Sequence, residues 1–199
     1  ADATAAPEWQ RIGGGGAVTW HDHRIHAMPG VTGDTDWTVT FAVDGLPHVA
    51  RGRLTKLPSH SPAVEVLVAL GVIAVVAIVV GRGRARLVAT IAVLGSTAIA
   101  TALAIGDAVS TPAGMDVPIL HTAIALASLV IAISAALVPR RFRRTVLALF
   151  VAAIALAAWW WALMVPALTA AIVPNAFADP VVRVGLAVVF GLLVAAAAL

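Results

Sequence analysis

The segment from Trp20 to Met28 holds the densest group of metal-binding side-chain types in this 199-residue chain. It reads Trp-His-Asp-His-Arg-Ile-His-Ala-Met, so three imidazoles, one carboxylate and one thioether lie close together. Imidazole suits copper, zinc and nickel, and a thioether favours Cu(I). The segment therefore predicts a metal site whose ligands are, in chain order, His21, His23, His26 and Met28. Asp22 would be an outer-shell acceptor that orients an imidazole.

The spacing of these ligands restricts how they can meet at one ion. In a β-strand, His21 and His23 project from one face, and His26 and Met28 project from the other. Either pair can chelate directly, but all four converge only if the chain turns or bulges near residues 24–25. A structural role for the three histidines, without any metal, is the alternative interpretation.

The chain has no cysteine, which narrows the metal chemistry. Disulfides, thiolate zinc sites, iron–sulfur clusters and CxxC redox motifs are all excluded. Methionine in the absence of cysteine, on the oxidising side of a membrane, favours copper as the cofactor. Zinc held by histidine and aspartate is the less favoured alternative.

Further candidate ligands are scattered along the chain and form a weaker prediction. They are His48, Asp107, Met115, Asp116 and His121. Asp116 and His121 are five residues apart, which is not the spacing of three or four that places side chains on one helical face. In the alternative interpretation Asp116 caps the third long helix and His121 packs at the membrane interface.

The composition indicates the elements that must position these side chains. The chain is 61% hydrophobic and only 12% charged, whereas soluble domains carry about 25% charged residues, so an ordinary soluble enzyme is excluded. A membrane span needs roughly 17 to 25 mostly apolar residues. Five segments qualify, namely residues 63–80, 87–106, 119–138, 145–165 and 181–199. The predicted fold is a mainly α membrane protein with a small β domain and linker at residues 1–62 and a five-helix transmembrane bundle at residues 63–199.

Basic residues predict the orientation of the bundle. Two short connections, residues 81–86 and 139–144, hold seven of the thirteen basic residues and no acid. The positive-inside rule places both in the cytoplasm, so the N-terminal domain is extracytoplasmic and the C-terminus is cytoplasmic. We therefore expect a multi-pass protein of the cell membrane, whose net charge of +3 needs no nucleic-acid partner. A start at Ala1 fits signal-peptide cleavage or a trimmed chain.

A β-hairpin is predicted in the N-terminal domain. Residues 35–43 alternate between apolar and small or polar side chains, as in a half-buried strand. Asp44-Gly45 then supplies a two-residue turn, which places Val43 opposite Leu46. In this register His48 points to the apolar side of the hairpin, either as a buried histidine or toward whatever that side covers.

Several side chains within the predicted spans admit more than one role. Glu65 and Arg183 lie near the outer ends of the first and fifth spans, where ionisable groups are functional candidates, interface anchors or a mutual ion pair. Residues 159–161 are three consecutive tryptophans, which favour an aromatic belt over a platform for stacking a ligand. Small residues in the second span predict close helix packing.

The N-terminal domain carries a family resemblance. The run at residues 20–28 is followed by Trp37, Val43-Asp44-Gly45, Gly52-Arg53-Leu54 and a Pro-bounded start of a span. These features resemble a group of poorly characterised actinobacterial membrane proteins, in which a short exported domain with a Trp-His-Asp-His-Arg-x-His signature precedes several spans. The resemblance covers most of residues 8–62, and the spans agree only in hydropathy.

The arrangement is more loosely similar to that of the copper-handling proteins CopC and CopD, which join an extracytoplasmic β domain to a membrane bundle. This domain is shorter than a CopC sandwich, it has no N-terminal histidine, and the spans lack intramembrane histidines. The resemblance implies a function related to copper. The metal ligands that it implies are limited to His21, His23, His26 and Met28, with Asp22 in support.

These observations predict an extracytoplasmic copper-binding membrane protein that captures copper or delivers it to a membrane or exported cuproenzyme, with no catalytic activity of its own. The alternative is a non-catalytic accessory subunit of a larger membrane complex, such as a respiratory oxidase or a copper monooxygenase. A hydrolase, kinase or metalloprotease is disfavoured, because the sequence has no GxSxG, P-loop or HExxH motif. The expected partners are the lipid bilayer and either a membrane or exported cuproenzyme or other membrane subunits.

Overall fold

A computed structural model of the chain describes residues 33–43, 45–111 and 117–199. Two strands come first and five long helices follow. The strands and the helices belong to two separate compact units, with the division after Lys56. The further strands expected at residues 17–28 lie outside the described residues.

The hairpin forms with the predicted bounds and register. Strand β1 is Thr35–Val43, strand β2 is Leu46–Leu54, and the two pair antiparallel with Val43 opposite Leu46. Gly45 has φ +79°, a conformation that glycine adopts at no steric cost, as a tight hairpin turn requires. The turn residues therefore set the register of the whole pair.

Five helices follow, and each is long and apolar enough to cross a membrane. Their bounds are α1 Ala63–Gly81, α2 Ala85–Ser110, α3 Ile119–Leu137, α4 Arg143–Met164 and α5 Asp179–Ala197. The shortest have 19 residues, about 28 Å at 1.5 Å per residue, which is close to the hydrocarbon thickness of a bilayer. The five predicted segments are thus confirmed as helices. α2 is longer than predicted at both ends, and α5 begins earlier because Pro180 is favourable in a first helical turn.

Small side chains let the helices approach closely. Gly191 of α5 lies against α1, where a Cβ atom would stand only 2.9 Å from the carbonyl oxygen of Ala69. In α2 the buried residues include Ser96, Thr97 and Thr101. Thr101 donates a hydrogen bond to the carbonyl oxygen of Ala125 in α3 at 3.0 Å. The close packing predicted from the small residues of the second span is therefore present.

The three consecutive tryptophans of α4 have different surroundings. Trp160 is fully buried, whereas Trp159 is 53% exposed. Trp161 stacks on Phe190 with ring centroids 4.7 Å apart and donates from Nε1 to the carbonyl oxygen of Leu186 at 3.0 Å. Consecutive helical residues point about 100° apart, and Trp160 points into the core, so it is not part of an interfacial belt. Only Trp159 has the exposure that a membrane interface would need.

Candidate functional site

The main predicted ligands cannot be placed by the structure. His21, Asp22, His23, His26 and Met28 lie outside the described residues, as do Met115 and Asp116. The metal site at residues 20–28 therefore stays a prediction. The candidate residues that the structure does describe are His48, Asp107 and His121.

His48 lies on β2 opposite Phe41, as the register predicted, but its side chain is exposed. It is therefore not the buried histidine that one interpretation expected. Leu46, two residues earlier on the same strand, is also 66% exposed. Val39, on the same face of β1, is buried, so exposure on this face is shown at Leu46 and His48, toward the turn.

Asp107 and His121 meet where α2 ends and α3 begins. Asp107 Oδ2 lies 3.7 Å from His121 Nδ1, too far for a hydrogen bond, and both side chains are partly buried. His121 Nδ1 is itself buried without a hydrogen-bond partner. The partner that the structure gives to His121 comes from the preceding helix. The sequence analysis compared His121 with Asp116, five residues earlier, and that spacing does not indicate the contact with Asp107.

A pocket of about 250 Å³ opens beside Asp107. Its walls come from the last turn of α4, from the short 3₁₀ helix Val165–Leu168, and from the residues that follow. The lining residues are Asp107, Leu163, Met164, Pro166, Ala167, Ala170, Ile172, Val173 and Pro174. Asp107 is the one charged residue among them.

Arg183 fixes the backbone that forms one wall of this pocket. Its side chain is only 3% exposed. Nη1 donates to the carbonyl oxygen of Ala167 at 2.6 Å, and Nη2 donates to that of Ala170 at 2.8 Å. Asp179, one turn earlier on α5, lies 3.6 Å from Nη2 and accepts from the backbone N–H of Val173. The guanidinium is thus occupied by carbonyls and a carboxylate, as a buried cation requires.

Glu65 has a different partner from the one expected. The residue is 5% exposed, and Oε1 lies 2.9 Å from His60 Nε2. The backbone N–H of His60 donates to the carbonyl oxygen of Thr169 at 3.0 Å. The mutual ion pair of Glu65 with Arg183 is therefore wrong, because each residue pairs within its own surroundings. The short spacing of His60 and Glu65 across the start of α1 was the signal that sequence reasoning missed.

These contacts set the limits of metal binding in the helical unit. Among the described residues, no three histidine, aspartate or glutamate side chains lie close enough to hold one ion. The pairs Asp107–His121 and His60–Glu65 each offer two donors, whereas structural and catalytic zinc sites use three or four protein ligands. The first pair lies where α2 ends and α3 begins, and the second lies at the start of α1. The arginine-rich connections join the opposite ends of these helices.

Comparison of the chain with protein-family models, with curated proteins and with solved structures gives no match. Its function is therefore inferred from its own residues.

Proposed function

We propose that the chain is a multi-pass protein of the cell membrane that binds copper on the extracytoplasmic side, and captures it or delivers it to a membrane or exported cuproenzyme. The observation that carries the proposal is the ligand density at residues 20–28, with three imidazoles and a thioether in a chain without cysteine. Copper in its two oxidation states is the ion that this mixture of ligands suits best.

The charge distribution of the helical unit supports this location. Exposed arginines lie between α1 and the first turn of α2, at Arg82, Arg84 and Arg86, and just before and at the start of α4, at Arg141, Arg143 and Arg144. Glu65, Asp107 and Asp179 lie at the other helix ends. The positive-inside rule makes the acidic end extracytoplasmic.

Metal analysis of the purified full chain tests the proposal. The variant H21A/H23A/H26A should lose most of its bound copper after loading with Cu(I) under a reductant. A second triple variant, H48Q/H60Q/H121Q, removes the other three histidines of the chain and should keep it. Circular dichroism of all three proteins checks that the helices persist. Equal copper content in the first variant and the parent would contradict the proposal.

Substitution of Met28 tests whether the site prefers Cu(I). Met28→Leu keeps the apolar volume and removes the sulfur, so it should weaken Cu(I) binding while it leaves Zn(II) binding almost unchanged. A competition titration with a Cu(I) chelator measures the first affinity, and a zinc-responsive dye measures the second. Equal weakening of both metals would contradict a role for the thioether.

A further inference from the structure

Asp107 is a partly buried carboxylate at the edge of the pocket described above. It belongs to the last turn of α2, where the unpaired carbonyl groups already give the helix end a partial negative charge. Its side chain is 19% exposed, and the described residues give it no hydrogen-bond donor, since His121 stands 3.7 Å away. A cation bound in the pocket would supply the donor that the described residues do not give this carboxylate.

The pocket beside Asp107 is suited to an organic cation. The other eight lining residues are apolar, and they include Leu163, Met164 and Ile172. Small-molecule sites combine such apolar walls with a few polar groups that fix orientation. A volume of about 250 Å³ is below the roughly 300 to 1,000 Å³ of sites for drug-sized ligands. The ligand should therefore be small.

We propose that this pocket binds a small primary alkylammonium ion. The ammonium group donates charge-assisted hydrogen bonds to the Asp107 carboxylate, and the alkyl group contacts the apolar walls. Arg183 stiffens the site, because it holds the carbonyl groups of two lining residues, Ala167 and Ala170. This site is independent of the copper proposal, which depends on residues 20–28.

The lining favours a free amine over the headgroup of an aminophospholipid. Such a headgroup carries a phosphate beside its ammonium group, and a phosphate needs a cationic or donor-rich partner. None of the nine lining residues is basic. The cation in reach, Arg183, is 3% exposed and already bonded to two carbonyls.

Binding of n-butylammonium to the full chain tests the proposal. The protein is placed in nanodiscs of phosphatidylcholine, which has no primary amine, and the dissociation constant is measured by calorimetry. Asp107→Asn keeps the side-chain size and should weaken binding about tenfold or more, since a hydrogen bond to a charged group is lost. Ala170→Leu fills the pocket without touching the carboxylate and should weaken binding as well. Asp36→Asn removes an exposed acid of the hairpin and should change nothing.

Four outcomes would overturn the proposal. An unchanged affinity in Asp107→Asn, or equal affinity for 1-butanol, would show that the carboxylate does not select the ligand. Loss of butylammonium binding in nanodiscs of phosphatidylethanolamine would assign the pocket to a lipid headgroup. Displacement of butylammonium by Zn²⁺, with Ala170→Leu as sensitive to the metal as the parent, would assign Asp107 and His121 to a metal ion.

Discussion

Arg183 is a buried cation in an apolar helix, and such residues often mark an ion pathway in membrane proteins. Its contacts indicate a structural role. Two carbonyl oxygens and the carboxylate of Asp179 surround the guanidinium, and both carbonyls belong to the segment between α4 and α5. Since that segment has few backbone hydrogen bonds of its own, the arginine holds it against α5. The planar guanidinium can span two acceptors, which a lysine ammonium cannot do in the same way.

Replacement of Arg183 by leucine should therefore destabilise the helical unit. We expect a loss of about 2–4 kcal/mol in the free energy of unfolding, because two carbonyls lose their donors and Asp179 loses its cation. Arg183→Lys should fall between the parent and Arg183→Leu. Unfolding in mixed micelles, followed by circular dichroism, measures the difference. Arg51→Leu, at an exposed position on β2, is the matched control, and an equal effect of both leucine variants would contradict this role.

At the scale of the elements, an ion pair links the two strands of the hairpin. Asp36 and Arg53 stand directly opposite each other, and Arg53 Nε donates to Asp36 Oδ1 at 2.7 Å. Both side chains are largely exposed, so water and salt screen the attraction. The hydrogen bond from Arg53, followed by its positive charge, lowers the pKa of Asp36 from its ordinary value of 3.8.

Titration should detect this pair. We expect the pKa of Asp36 to rise toward 3.8 in Arg53→Met, because the donor and the charge are both removed. A lowered pKa means that the pair stabilises the hairpin above pH 3.8, and that this contribution is lost as the pH falls through the pKa of the folded state. Carboxyl chemical shifts measured by NMR give the value. Arg51→Gln, opposite Thr38 on the same strand, should leave it unchanged, and a shift of similar size there would show that only general charge matters.

The elements differ in how far the sequence predicts them. The hairpin follows from alternation and the Asp44-Gly45 turn, and the helices follow from apolar length, because both signals are local. The segment after α4 is different. Asn175 Nδ2 donates to the carbonyl oxygen of Leu103 at 3.0 Å, across 72 positions, and no local pattern encodes such a contact. The same holds for the pocket beside Asp107, whose walls come from residues more than 50 positions away.

The candidate metal ligands show the same limit. Their types and clustering are visible in the sequence, so residues 20–28 could be proposed as a site. The partner of His121 was not predictable, because Asp107 belongs to the preceding helix and the contact depends on how α2 and α3 pack. The pair of Glu65 with His60 is local, and its spacing of five residues was visible in the sequence. The sequence therefore shows which side chains could bind a metal more readily than it shows which side chains are in contact.

At the scale of the whole molecule, the two kinds of helix connection differ in charge. The connections after α1 and α3 are short and carry exposed arginines without any acid. The connection between α4 and α5 has no basic residue and is held by hydrogen bonds to α2, including Ala176 N–H to the carbonyl oxygen of Gly106 at 3.0 Å. Transfer of several arginines across a bilayer is costly, whereas the neutral or acidic segments cross more easily. This difference predicts one orientation of the five helices.

Single cysteines can test that orientation, because the parent chain has none. Thr55→Cys, Ala171→Cys and Phe142→Cys each alter an exposed residue outside the five helices. A membrane-impermeant maleimide should label the first two in intact cells, and it should label the third only after the membrane is opened. The parent reports background labelling. Labelling of Phe142→Cys alone in intact cells would mean that the arginines face outward, and the copper ligands before Thr55 would then lie in the cytoplasm, where the proposed capture or delivery could not occur.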